Sequence, residues 1–264
     1  PLEEKLKFSI EKSSCHRGYY KMGGENLDPK NQKSDGDLKE GIKIGRDLSL
    51  NHPLVKAETP LHGPNQWPKN LPGWREQMET YYSSMLGLGL NLMKAFALSL
   101  NVEENFFDKW LTGPMATSGP IHYPNQKGAI SEKRLGAGAH TDFGCLTMLW
   151  QDEVGGLQVK NVNEEWIDAP CISNTFVVNI GDMMARWTNG IFSSTTHRVI
   201  NTSGKDRYSI PFFFDPDFNA DVTCLETCHG PDNPPRFAPT TGGQHLLDMI
   251  NATFEYHREN KATA

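Results

Sequence analysis

The tripeptide His140-Thr141-Asp142 sets an imidazole and a carboxylate two residues apart. Successive side chains of a β-strand alternate sides, so positions i and i+2 share a face and both groups can reach one ion. A second histidine, His197, stands further along the chain in Ser-Thr-Thr-His-Arg-Val, another strand-like segment. A lone His-x-Asp is common by chance, and a histidine on a half-apolar strand is more often a hydrogen-bonded core residue. With His197 added, two imidazoles and one carboxylate occupy one face of an octahedron and leave three positions open, which suits a ferrous ion. Zinc prefers a closed or four-coordinate set.

Arg207-Tyr208-Ser209 repeats the i, i+2 spacing. A guanidinium fork takes a carboxylate through parallel charge-assisted hydrogen bonds, and a serine hydroxyl on the same face adds a donor. That pair forms a receptor for one end of a dicarboxylic acid. An arginine on a sheet edge paired with a surface acid is the simpler alternative, but it leaves the shared spacing of the two motifs unexplained. Cys224, Cys228 and His229 also suggest a metal cluster, yet a zinc site normally needs a second ligand pair and none follows. Free thiols fit better.

Both motifs need strands to hold them. After Gly113 the sequence becomes short β-rich segments separated by turns, the pattern of a sandwich or barrel. The expected strands are 121–123, 138–141, 146–151, 157–161, 165–168, 176–180, 184–187, 196–201 and 208–215. Ahead of them, residues 74–100 carry apolar groups at helical spacing (Met78, Tyr82, Met85, Leu92, Phe96) without a proline. This helix is expected to cover the sheet, with shorter helices at 103–110 and 244–259. Residues 1–70, rich in Gly, Pro, Asn and Lys, read as loop with one short helix, placed to wrap a pocket mouth.

Composition narrows the classes. The 264 residues suffice for a single large domain. Formal net charge is −6, with Lys and Arg scattered, which argues against a nucleic-acid partner. No apolar run reaches the ~18 residues a membrane helix needs, and the first residues lack a signal-peptide core. Five cysteines without a pairing framework suit a reducing, cytoplasmic setting.

Several segments now combine: His140-Thr141-Asp142-Phe143-Gly144, Gly155-Gly156-Leu157-Gln158-Val159, Asn179-Ile180-Gly181-Asp182, His197-Arg198-Val199 and Arg207-Tyr208-Ser209. In this order they resemble the isopenicillin N synthase-like branch of the 2-oxoglutarate/Fe(II) dioxygenases, from about Pro114 to Phe214. The likeness extends upstream through Gly63–Pro68 and the long helix. It implies a mainly β fold with flanking α-helices, the double-stranded β-helix or jelly roll. Residues 1–112 would be its covering part, 113–216 the core with the metal site, and 217–264 a C-terminal loop and helix.

The resemblance further implies that His140, Asp142 and His197 hold Fe(II), that Arg207 and Ser209 grip the far carboxylate of 2-oxoglutarate, and that Tyr123 hydrogen-bonds the same cosubstrate. Oxygen would be the second cosubstrate. The outcome would be hydroxylation, desaturation or ring closure of a small molecule, in specialised metabolism, by a monomer. Phe143, Phe212, Phe214 and Phe218 are expected to line the substrate side, with loops 63–68 and 218–223 as lids. Relatives usually carry some tens of residues ahead of a stretch similar to Pro1–Lys5, and a longer side chain within Ser118-Gly119-Pro120, which would make that substrate wall unusual. Within the same fold, an oxidase that needs no 2-oxoglutarate is the alternative, and a catalytically silent binding protein is another; three intact ligand positions argue against the latter.

Overall fold

The computed structural model describes residues 1–32, 36–126 and 135–254. In chain order it contains α1 (Leu2–Leu6), β1 (Gly18–Tyr20), β2 (Glu40–Gly45), α2 (Pro53–Lys56), α3 (Trp74–Ser99), β3 (Thr117–Ser118) and β4 (Ile121–Tyr123). There follow β5 (Ala137–His140), β6 (Leu146–Gln151), β7 (Leu157–Lys160), β8 (Trp166–Asp168), β9 (Val177–Ile180) and α4 (Asp182–Trp187). The remainder comprises β10 (His197–Val199), β11 (Arg207–Phe214), β12 (Asp221–Val222), β13 (Thr240–Thr241) and α5 (Gly242–Thr253). The expected extension of the last helix to Glu259 lies outside the described residues.

Apart from the separate β12-β13 pair, the strands sort into a larger sheet, β1-β2-β3-β11-β6-β9 with β4 paired to β11 and β2, and a smaller one, β5-β10-β7-β8. Every pairing between them is antiparallel. Helices lie outside, giving the double-stranded β-helix. Alternation along β11 and β6 assigns the two faces of the larger sheet. Phe212, Phe214, Leu146 and Met148 are buried in the core that α3 covers, with Met85, Met93 and Ala97 of the helix. Arg207, Ser209, Pro211, Phe213, Thr147 and Leu149 line an internal cavity instead. Each fully buried phenylalanine or leucine contributes roughly 1.5–3 kcal/mol, so this outer core alone fixes which parity faces inward.

Three differences from the sequence reading have physical causes. Met184–Trp187, expected as a strand, belongs to α4. A short run of buried apolar residues fits either conformation, and Gly181 as N-cap with Asp182 in the first turn favours the helix. Of the helix expected at 103–110, only a 3-10 turn at Asp108–Trp110 forms. Phe107 packs on Trp187 at 5.1 Å while its neighbour Phe106 packs on Trp110 at 5.7 Å, an aromatic cluster that outweighs local helical preference. Residues 1–70 are not simply loop, since they supply β1 and β2 to the larger sheet.

Nor are the two expected lids free segments. Asn65 accepts from the Gly45 N–H at 2.9 Å and donates to the Gly45 carbonyl at 2.8 Å, while Gln66 donates to the carbonyls of Ser9 and Arg17. Loop 63–68 is therefore a clamp on the N-terminal strands. Phe218 and Ala220 accept backbone bonds from Gly243 and Gly242, pinning 218–223 to α5. The short residue at Gly119 is likewise explained by packing: a Cβ there would lie 1.6 Å from the Ile42 carbonyl oxygen.

Two glycines of α3 make a contrast. A Cβ at Gly89 would sit 2.3 Å from the Phe214 ring, whereas one at Gly87 meets nothing within 4 Å. Gly87→Ala is expected to stabilise the fold by about 1 kcal/mol through helix propensity. Gly89→Ala should instead destabilise it by about 1–3 kcal/mol through overpacking. Urea denaturation measures both; a Gly89→Ala protein as stable as Gly87→Ala would contradict the packing described.

Candidate active site

His140 ends β5 and pairs across the ladder with His197, which starts β10. The two rings lie 4.3 Å apart between centroids. Asp142 follows on the turn out of β5, with its Oδ1 3.6 Å from His197 Nε2. One ligand atom from each of the three side chains lies within 4.8 Å of the others, the only such His/Cys/Asp/Glu group found among the described residues.

Each of these candidate ligands is oriented by a second contact. His140 Nδ1 donates to the Gly138 carbonyl at 2.7 Å and His197 Nδ1 to that of Thr195 at 3.0 Å. Both rings therefore turn Nε2 toward the shared point, as metal-binding imidazoles do. Asn179 Nδ2 donates to Asp142 Oδ2 at 3.3 Å and leaves Oδ1 facing the histidines. Burial first, and then the neighbouring His197, push the His140 pKa well below its usual value. Its imidazole stays neutral, the form that ligates.

Arg207 lies on the same cavity wall and has no exposed surface. Its Nε donates to the Gly155 carbonyl at 2.6 Å, one Nη donates to Gln151 Oε1 at 3.0 Å, and the guanidinium rests 4.7 Å over the Tyr123 ring. Nη1 and the neighbouring Ser209 Oγ are buried without a hydrogen-bond partner. Two donors left bare beside a fixed positive charge call for an anionic oxygen.

The cavity joining these groups has a volume of about 140 Å³. Residues 120–216 match the 2OG-Fe(II) oxygenase superfamily, and residues 1–70 match the N-terminal part of the non-haem dioxygenases in morphine synthesis. A 2-oxoglutarate-Fe(II) type oxidoreductase from Emericella nidulans is 39% identical over 97% of this chain and 72% of its own length. The chain belongs to the 2-oxoglutarate/Fe(II) oxygenase superfamily.

A homoarginine-6-hydroxylase from Glycine max shares 36% identity over 96% of the oxygenase and 76% of its own length. A full-length Neurospora crassa protein solved in complex with alpha-KG superimposes with a TM-score of 0.82 at 31% identity, covering 96% and 78% of the two chains. Fe(II) and 2-oxoglutarate are thus the cofactor and cosubstrate of the oxygenase, and its donor set fits them. Two imidazoles and a carboxylate suit a ferrous ion, and the orphaned Arg207 and Ser209 donors suit a dicarboxylate.

Sequence reading placed some residues wrongly and missed others. Phe143 and Tyr123 line the cavity, but Phe212 and Phe214 do not. They occupy even positions of β11, opposite to Arg207 and Ser209, and are buried under α3. Phe213 takes the cavity position, and Phe218 packs instead near His62 and Gly243. Gln151, the partner that aims Arg207, carried a signal in the alternation of β6.

A further group, Gln32, Asp37 and Lys39, lies in the stretch read as loop and had no such signal. Lys39 bridges Glu25 at 2.8 Å and Asp37 at 2.9 Å. Although burial opposes its charge, Asp37 and Glu25 raise its pKa well above the usual value. Asp37 Oδ1 also accepts from Gln32 Nε2 at 2.9 Å and from the Gly138 N–H at 3.0 Å, gripping the strand that presents His140. Asp37→Ala leaves these buried donors bare and is expected to cost on the order of 3 kcal/mol in denaturant unfolding of the apo-protein. An unchanged midpoint would remove the network from the account.

Proposed function

We propose that His140, Asp142 and His197 hold the ferrous ion, that Arg207 Nη1 and Ser209 Oγ receive the distal carboxylate of 2-oxoglutarate, and that the oxygenase oxidises a small molecule of specialised metabolism. The observation that carries this reading is the pair of orphaned, buried donors opening on the same cavity as the triad. Bound iron supplies oxygen activation coupled to decarboxylation of the keto acid to succinate.

The chain's own groups do the rest. Gly155 and Gln151 occupy Arg207 Nε and one Nη, so the guanidinium cannot swing and presents its free end beside Ser209. Tyr123 supports the charge with its ring face. Leu149, Leu157 and Val199, buried between the sheets, exclude water around the bound acid. Asn179 holds Asp142 in its ligating orientation. Phe143, next to Asp142, borders the space for the molecule to be oxidised. A single chain supplies every group named, consistent with a monomer, and five free thiols suit a reducing cytoplasm.

Asp142→Ala removes the one anionic ligand and is expected to abolish Fe(II) binding in an anaerobic titration; retained stoichiometric binding would move the metal elsewhere. Arg207→Ala should raise the 2-oxoglutarate requirement by about 30-fold to several thousandfold, the equivalent of ~2–5 kcal/mol for truncating one side of a buried charge pair. Substrate-dependent succinate release tests the cosubstrate role directly. Product made with oxygen and no keto acid would instead identify an oxidase, and iron and 2-oxoglutarate binding without turnover across a broad panel would identify a binding protein.

A further inference from the structure

The end of the cavity away from Arg207 carries charges that the iron and the keto acid leave unanswered. Lys43, on β2, has no carboxylate within 4.0 Å among the described residues; its Nζ sits 3.4 Å from His16 Nε2 and 5.0 Å over the Phe254 ring. Arg17 is 2% exposed and donates only to the backbone carbonyls of Cys15, His16 and Leu61, so its charge is held in place without a carboxylate in direct contact. Asp215, 3% exposed, follows β11 on the parity of Arg207, Ser209 and Phe213, and its Oδ1 has no hydrogen-bond partner. All three line the same cavity. A Cβ at Gly144 would stand 1.7 Å from Asp215 Oδ1, which places this carboxyl close to the turn that follows Asp142 and Phe143.

Buried charges without a counterion in contact are costly, by several kcal/mol each in proteins, and are retained where a ligand supplies the missing contact. Elsewhere in this chain the buried cation Lys39 is bridged directly by two carboxylates, whereas Lys43 feels Glu25 and Asp215 only from beyond 4.0 Å. From this arrangement we infer that the oxidised substrate is a small carboxylic acid carrying a nearby N–H or ammonium donor, its carboxylate seated at Lys43 in the positive field of Arg17, and its nitrogen donating to Asp215. The inference rests on the metal and keto-acid reading of the same cavity and adds the substrate class. The donor places the neighbouring carbon beside Phe143 and the metal triad, and the flat rings of Phe213 and Phe254 flank the acid. Two sources offer this chemistry: α-amino acids, and carboxylic acids of azoles whose ring nitrogen carries a hydrogen.

The test uses the Fe(II)- and 2-oxoglutarate-loaded protein under anaerobic conditions, with equilibrium binding read by calorimetry and succinate release read separately in air. Probes are a set of α-amino acids and a set of azole carboxylic acids with a ring N–H, each beside its methyl ester. At least one acid is expected to bind and to stimulate succinate release, with its methyl ester about tenfold to a hundredfold weaker, the range for losing a charge-assisted contact. Which set contains it identifies the source. Lys43→Met should weaken that acid by a similar factor while leaving the ester unchanged, and Asp215→Asn should weaken it but spare its nitrogen-free analogue. Esters binding as tightly as acids in the unaltered protein would overturn the inference without recourse to any variant, as would acids that neither bind nor stimulate while uncharged compounds do. Failure of the protein to take up Fe(II) and 2-oxoglutarate before any probe is added is a different result, and it strikes the underlying reading instead.

Discussion

A guanidinium withdrawn wholly from water is the constraint around which the structure is organised. Arg207 has no exposed surface, and an uncompensated charge at that depth would cost more than most single contacts return. The fold answers part of the demand with the Gly155 carbonyl, Gln151 and the face of Tyr123. Gly155 reaches it from a turn where two successive glycines adopt φ of +77° and +93°, a conformation that side chains with a Cβ rarely take. What remains unanswered is one nitrogen and a serine hydroxyl, the pair on which the proposed cosubstrate site rests.

The same strand explains the division between scaffold and site. β11 pairs with β6 over six residues in unbroken register, from Ser209↔Gln151 to Phe214↔Leu146. A slip of one residue would carry Arg207 and Ser209 to the helix side and bring phenylalanines into the cavity. Packing of Phe212 and Phe214 against α3 therefore guards the chemistry on the opposite face, although neither ring approaches it.

The smaller sheet is held differently. β5 meets β10 only at His197↔His140 and Val199↔Ala137, with a register shift between them. So short a ladder positions His140 weakly by itself. Asp37, Gln32 and Lys39 add the missing hold from a segment far away in sequence, and the Asn179-to-Asp182 motif closes the other side: the Asp182 N–H donates to the Asp142 carbonyl at 2.8 Å. A Cβ at Gly181 would come within 2.3 Å of the Gly144 carbonyl oxygen, so that motif needs glycine for the two turns to approach.

The sequence by itself determined the triad, the Arg-x-Ser pair, the long covering helix and most strands of the core, because each is written in spacing of two or of three to four residues. Period alone also carried the information that Phe213, not Phe212 or Phe214, shares a face with Ser209; counting from Arg207 would have reached Asp215 as well. Tertiary structure alone decided the rest. Lys43, Arg17, Lys39 and Asp37 come from a region with no strong periodicity, whose strands are three and six residues long and exist because a preformed sheet edge offers them hydrogen bonds. Local sequence has no means of specifying such recruited pairing, nor the choice of helix over strand in the buried run at 182–187, since both depend on which partners the rest of the chain has already brought near.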